Sequence, residues 1–351
     1  MRVLLYGANG YTGQLIAESW PEETHTLILG GRSAKAVGEL ASQLGKEDRI
    51  FDLEKDIATE KALEDVDLVL NAAGPFFRTA RPLVAACLAT KTHYVDITGE
   101  IEVFETIQSY HNEGQAQGIV LLPGAGFDVV PTDVLAAKLA EKQAEAQSLT
   151  LAIASFGTTI SHGTLSTAVS QLGKKGSVRK DHKLVPEVVG KEGRYFEFGD
   201  KKRFAMSIPW GDLSTAYWST GIPNIRVFVA TPPSTYRKMK WQWLFNPILR
   251  WSWVKKRIQK YVDRNVSGPT DKQRQEGFAR VYGEVTDAEG HRLSMELQSP
   301  EPYAFTVRSA IWFANHIMDH PGRSGYFTPS TWADPDEVLT ALDMTVWEAE
   351  D

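Results

Sequence analysis

The sequence predicts an α/β protein in two parts: an N-terminal Rossmann-type, doubly wound parallel sheet, then a second α+β domain on a mostly antiparallel sheet. Three observations carry this expectation. Short apolar runs alternate with helical periodicity through the first third of the chain, the pattern of strand, helix, strand crossovers. A glycine turn, Gly7-Ala8-Asn9-Gly10-Tyr11-Thr12-Gly13, follows the first apolar run and opens the first helical pattern. The length, 351 residues, exceeds what one small core usually serves.

Strands are expected at Val3 to Tyr6, Thr26 to Leu29, Arg49 to Phe51, Leu68 to Asn71, His93 to Asp96 and Ile119 to Leu122. Helical spacing between them predicts Thr12 to Trp20, Ala34 to Leu44, Thr59 to Asp65, Pro82 to Ala89 and Ile101 to Gln117, with Pro21 closing the first. The second part opens at the run Ser148 to Phe156. Strand-like segments recur at Ile225 to Ala230, Ala279 to Thr286 and Arg292 to Gln298, and Met344 to Glu348 reads as a last short strand. The resulting division is 1–135 for the dinucleotide-binding domain, 136–325 for the α+β domain that shapes a substrate pocket, and 326–351 for a tail returning to the first domain.

Composition narrows the function classes. With 42% hydrophobic and 23% charged residues the chain has the makings of an ordinary core, and its formal net charge of -6 argues against nucleic acid as a partner. The single cysteine, Cys87, sits in an apolar run, so a disulfide within the chain is impossible and a reducing, cytoplasmic setting is expected. The eight histidines are scattered without ligand spacing, so no metal site is expected. No run is long and apolar enough to span a bilayer.

The glycine turn carries the first chemistry. A strand that enters Gly-x-x-Gly-x-x-Gly and leaves as a helix brings backbone N–H groups and the positive helix end against a pyrophosphate, an approach that side chains would obstruct. The end of the second strand selects the cofactor. An NAD site carries an acidic residue about 20 residues past the turn, whereas this chain reads Gly30-Gly31-Arg32-Ser33. Arg32 suits a 2′-phosphate through a charge-assisted fork, with Ser33 and Lys35 as further donors, so NADP(H) is expected; the competing reading is a solvated loop arginine. Asp52 is placed to meet the adenine amino group or to brace a turn.

At the fourth strand, Asn71-Ala72-Ala73-Gly74-Pro75 puts small residues at a carboxyl end, where ribose and nicotinamide can pass close to the backbone; tight helix-on-sheet packing is the alternative. Tyr94, Asp96 and Asp128 are the candidate acid/base groups, near His93 and Glu100. Strand alternation puts Tyr94 and Asp96 on one face and His93 on the other. Bracing and capping are the rival roles for these carboxylates. In the second part, Ser161-His162-Gly163-Thr164 precedes a helical pattern from Leu165 to Leu172 and reads either as an oxygen-binding helix start or as an ordinary cap.

Residues 236–264 stand apart. They hold nine basic residues against the single acid Asp263, with Trp241, Trp243, Trp251 and Trp253 among them. Tryptophan at headgroup depth beside lysine and arginine describes an interfacial membrane anchor. Two helices with basic outer faces, covering a sheet or a homodimer seam, describe it equally.

The stretches Gly7 to Gly13, Asn71 to Phe76, Thr92 to Glu100 and Pro123 to Asp133 together resemble the saccharopine dehydrogenase-like oxidoreductases, a group that includes the trans-acting enoyl reductases. The likeness continues more thinly through Ser155 to Thr158 and Thr328-Pro329. It implies reduction of a C=C, C=N or C=O bond on a bulky, acyl or lipid-like small molecule. A true saccharopine reductase and a non-catalytic nucleotide-binding or membrane-attached scaffold are the alternatives.

Overall fold

The computed structural model describes all residues except 22, 55, 160–168, 170–175, 241–250, 266–267 and 350–351, and describes the backbone alone at 238, 240, 252 and 262–265. The motif Ser161-His162-Gly163-Thr164 and Trp241 and Trp243 therefore lie outside the described residues. Two compact units emerge: Met1–Val130 with Tyr303–Trp332, and Pro131–Pro302 with Ala333–Asp351.

The first unit is built on seven parallel strands: β1 (Arg2–Tyr6), β2 (Thr26–Gly31), β3 (Glu47–Ile50), β4 (Leu68–Asn71), β5 (His93–Asp96), β6 (Val120–Leu122) and β15 (Gly325–Tyr326). Their order is β15-β6-β5-β4-β1-β2-β3, so the direction of winding reverses between β1 and β4, where ligands of open α/β sheets bind. The sequence places β1, β2, β4 and β5 as observed to within two residues, because apolar runs flanked by helices on both sheet faces have nowhere to go but the middle. Val3, Leu4, Leu5, Leu68, Val69 and Leu70 are fully buried, and each such side chain contributes about 1.5–3 kcal/mol on burial.

Helix α1 (Tyr11–Ser19) follows the glycine turn, and α2 (Ala34–Leu44) starts on Ser33, whose Oγ accepts the Ala36 N–H at 3.3 Å, and stops at Gly45 with φ +64°. After α3 (Asp56–Leu63), α4 (Phe76–Thr90) begins six residues before Pro82, the expected start, and ends on Lys91 in the left-handed conformation (φ +59°) that glycine usually fills. Its early start depends on a distant residue. The Glu100 carboxylate accepts the N–H groups of Phe76 (2.9 Å) and Phe77 (3.0 Å), supplying a cap from the next crossover. The single helix expected over Ile101 to Gln117 is two, α5 (Ile101–Gln108) and α6 (His111–Gln117), broken at Ser109-Tyr110.

The second unit carries a nine-stranded sheet in the order β10-β11-β12-β7-β13-β14-β16, with β8 pairing β12 and β9. Its strands are β7 (Ser148–Phe156), β8 (Gly176–Lys180), β9 (Lys183–Glu187), β10 (Gly193–Phe198), β11 (Lys201–Ile208), β12 (Asn224–Ala230), β13 (Phe278–Thr286), β14 (Arg292–Pro300) and β16 (Thr345–Glu348). Among the described strands only the β7–β12 pairing is parallel. Helix α7 (Val130–Lys142) lies on one face so closely that a Cβ at Gly283 of β13 would stand 2.6 Å from Leu139. The other face bears Phe156, Phe196, Phe198 and Phe228. Also in this unit are α8 (Asp212–Thr220), α9 (Pro233–Lys240), α10 (Ser252–Asn265) and α11 (Asp271–Glu276).

The last chain segments divide between the units. Most of α12 (Pro302–Asp319) belongs to the first, where the Ser309 hydroxyl donates to the Ala125 carbonyl at 2.8 Å and the Phe127 N–H donates to Thr306 Oγ1 at 3.0 Å. Gly325–Tyr326 adds the edge strand beside β6, while Thr345–Glu348 pairs with β14.

Candidate nucleotide-binding site

The turn after β1 owes its shape to two glycines and its open space to a third. Gly7 has φ +88°, and a Cβ there would stand 2.8 Å from the Ala73 backbone; a Cβ on Gly13 would stand 2.2 Å from the Gly7 carbonyl. Both positions are closed by the protein itself. Gly10 differs: its φ of -77° suits any residue, and a Cβ there would meet only the Gly7 carbonyl, at 3.3 Å. The Gly7 and Ala8 N–H groups donate to the Gly30 carbonyl at 2.9 and 3.2 Å, fastening the turn to the end of β2. Helix α1 then starts with neither a side-chain cap nor an acidic residue in its first turn, which leaves its positive end available to an anion. Asn9 is exposed, and Tyr11 and Thr12 are partly so.

Arg32 and Ser33 both lie exposed where β2 runs into α2. Ser33 accepts the capping N–H, so its hydroxyl proton is still available to a phosphate. Asp52 is partly exposed beyond β3, and its Oδ1 accepts the Glu54 N–H at 3.2 Å, a turn-bracing contact that engages one oxygen. These groups supply what a dinucleotide with a 2′-phosphate needs: an open glycine turn at a helix start, a cation, a hydroxyl and no carboxylate on the β2 terminus.

The motif residues at the ends of β4, β5 and β6 form one hydrogen-bonded assembly. Asn71 Oδ1 accepts the Ala73 N–H at 3.0 Å, and Asn71 Nδ2 donates to Thr79 Oγ1 and to Tyr94 Oη, each at 3.1 Å. The Tyr94 hydroxyl donates to Asp96 Oδ2 at 2.8 Å, and Asp96 Oδ1 accepts the N–H groups of Thr98 (3.0 Å) and Gly124 (2.9 Å). Through Ala73, which abuts Gly7, the assembly reaches the glycine turn. Ala72, Ala73 and Pro75 are partly exposed and Gly74 is exposed, with a cis bond between Gly74 and Pro75.

Burial sorts the three acid/base candidates. Tyr94 and Asp96 have no exposed surface. Burial, aided by the Asp96 charge, pushes the Tyr94 phenol well above its ordinary range. Burial lifts the Asp96 carboxyl to about 7, although three donors favour its ionised form. Asp128 is partly exposed and lies against Gly99, where a Cβ would stand 2.9 Å from its Oδ2; desolvation by the surrounding protein raises it to about 6. His93 faces away from Tyr94, its Nδ1 accepting the Val120 N–H at 2.9 Å, and burial lowers its pKa. Sequence reasoning passed over Asn71 as a hinge of the assembly, and Thr79 altogether. A polar residue at the end of an apolar strand was the only signal for Asn71.

Among the described residues one group could hold a metal ion: Asp287, Glu289 and His291 on the β13–β14 turn, where Asp287 already accepts the His291 backbone N–H at 2.8 Å. No described helix is long and apolar enough to cross a membrane.

Fold and turn together define a dinucleotide-binding architecture, and comparison with known proteins agrees. Residues 3–122 match the family model of the saccharopine dehydrogenase NADP binding domain. A saccharopine dehydrogenase-like oxidoreductase of Rattus norvegicus is 24% identical, with 98% of this chain and 95% of that protein covered. A trans-acting enoyl reductase of Mycobacterium leprae is 34% identical over 140 residues, which span 38% of this chain and only 34% of that protein. The fold is that of the saccharopine dehydrogenase (L-Glu forming) of Saccharomyces cerevisiae, with a TM-score of 0.67 at 12% identity over 99% of this chain and 100% of that one. The chain is an NAD(P)-dependent oxidoreductase with an NADP-binding N-terminal domain, and over its whole length it is similar to the saccharopine dehydrogenase-like oxidoreductases.

Proposed function

We propose that the chain moves a hydride between NADP(H) and a C=C, C=N or C=O group of a bulky or lipid-like small molecule. The observation that carries the cofactor half is Gly10: its Cβ position is almost free of protein, beside an uncapped helix start and within a turn that Arg32 and Ser33 complement. In this reading Gly7 to Gly13 seat the pyrophosphate on backbone N–H groups, Arg32 and Ser33 take the 2′-phosphate, and Asp52 offers its second oxygen to the adenine amino group. Ala72 to Pro75 leave room for the ribose and nicotinamide. When bound, the nicotinamide supplies or receives the hydride.

Tyr94 and Asp96 then act as positioning residues, tying the ends of β4, β5 and β6 beside that path, because neither reaches solvent. Asp128 is the candidate for exchanging the accompanying proton. It is the partly exposed member of the three, and a carboxyl near 6 exchanges protons readily at neutral pH.

The substrate half rests on what the relatives are named for, enoyl reduction and saccharopine chemistry. It is tested by following NADPH loss with enoyl thioesters of increasing chain length, long-chain ketones, and L-glutamate with 2-aminoadipate 6-semialdehyde. Turnover rising with chain length is expected. Turnover confined to the amino-acid pair makes the chain a saccharopine reductase, and tight NADPH binding without turnover on any probe makes it a scaffold.

A second reading adds contact with an anionic membrane surface. Trp251, Trp253 and Tyr261 are 54%, 57% and 67% exposed, on and beside α10, where Lys256, Arg257 and Lys260 are exposed as well.

A further inference from the structure

Tyr6 is the last residue of β1, immediately before the glycine turn, with Gly30 of β2 and Asn71 of β4 as its neighbours across the sheet. The residue is 98% buried, and its ring centroid lies 4.9 Å from that of Phe51. Its hydroxyl oxygen is closed to solvent and has no hydrogen-bond partner among the described residues. Such orphans are rare in native interiors and call for a reason. The charged groups that act on the hydroxyl are Arg32 and Asp52, which are the side chains assigned above to the 2′-phosphate and the adenine. The orphaned hydroxyl thus belongs to the last residue of β1, directly before the glycine turn, on a ring that packs against Phe51 beyond β3 and within reach of the charges of both side chains.

We propose that the Tyr6 hydroxyl donates a hydrogen bond to the 2′-phosphate of the bound dinucleotide and so adds to the selection of NADPH over NADH. The proposal rests on the cofactor reading above. A phosphate oxygen is an acceptor only, so it complements a phenol that has a proton and no acceptor. Burial pushes this phenol up to about 12, which keeps the proton in place at neutral pH. Arg32 is exposed and Asp52 partly so, so both side chains have room to rearrange around an arriving phosphate. A hydrogen bond to an anion is stronger than one between neutral groups, so the contact discriminates between ligands with and without the phosphate.

Tyr6→Phe keeps the ring against Phe51 and removes only the oxygen. Calorimetric titration of this variant and its parent with adenosine 2′,5′-bisphosphate, adenosine 5′-monophosphate, NADPH and NADH provides the test. The expected result is a loss of about tenfold on the two ligands with a 2′-phosphate, little change on the other two, and an unligated melting midpoint equal to or above that of the parent. Equal losses on all four ligands would assign the hydroxyl to the adenine and overturn the proposal. So would unchanged affinities, or a lower midpoint with an unchanged preference, either of which makes Tyr6 a core residue only. Arg32→Ala in the same titrations separates the two levels. If it abolishes the preference while Tyr6→Phe does not, the Tyr6 assignment alone fails; if the parent shows no preference to abolish, the cofactor reading fails with it.

Discussion

Replacing Gly10 by alanine should abolish NADPH binding in a protein that stays as stable as its parent, and the contrast with Gly13 makes the expectation specific. At Gly10 the backbone lies at φ -77° and ψ 164°, and a Cβ meets a single atom at 3.3 Å. Alanine adopts that conformation freely and restricts the unfolded chain, so the net change in unligated stability stays within about 1 kcal/mol. At Gly13 the same methyl group would stand 2.2 Å from the Gly7 carbonyl and 3.0 Å from the Ala8 Cα. That overlap is with backbone, and relieving it costs about 1–3 kcal/mol. The ligand reverses the ranking of cause. A methyl at Gly10 occupies the pyrophosphate approach, and losing two charge-assisted hydrogen bonds of about 1.5–3 kcal/mol each lowers affinity about a hundredfold or more. Denaturant midpoints and calorimetric NADPH titrations on Gly10→Ala, Gly13→Ala and the parent measure both effects. Parent-like NADPH affinity in a folded Gly10→Ala protein would show that the pyrophosphate sits elsewhere.

Asp96 makes stability depend on pH with a definite sign. Its folded pKa of about 7 lies above the ordinary 3.8, so between those values the folded state holds a proton that the unfolded state has lost, and stability falls as pH rises through that window, by on the order of 4 kcal/mol at most. The parent should lose urea resistance relative to Asp96→Asn from about pH 4 to about pH 7, with a constant difference above; a difference that is flat throughout refutes the raised pKa. For the surface reading of residues 236–264, flotation with anionic liposomes at low salt should carry the protein, and Trp251→Ser with Trp253→Ser should reduce the bound fraction severalfold. Salt should weaken attraction through the basic residues, which is screened over about 10 Å at 0.1 M. Failure of the parent to float at low salt leaves those aromatic residues to packing or to a partner protein.

The sequence alone determined what local periodicity and chain-adjacent chemistry can specify. Apolar runs with helical spacing between them gave β1, β2, β4, β5 and β7 nearly to the residue, because a strand buried on both faces has a composition that no exposed segment shares. The glycine turn and the Arg32-Ser33 terminus could be singled out for a similar reason: the residues proposed to meet one phosphate group lie within a few positions of one another. Tertiary structure decided whatever depends on distant partners. The seventh strand is two residues, Gly325–Tyr326, recognisable only once β6 offers an edge, and α4 starts at Phe76 because Glu100 caps it from 24 residues away. The strands from Gly176 to Ile208 escaped because their mixed polar and apolar content reflects a sheet face that is only partly covered. Tyr94, Asp96 and Asp128 looked equivalent as titratable residues at strand ends. Only folding closed the first two into a hydrogen-bonded brace and left the third partly open to water, since desolvation is a property of the surroundings and is written in no single stretch of chain.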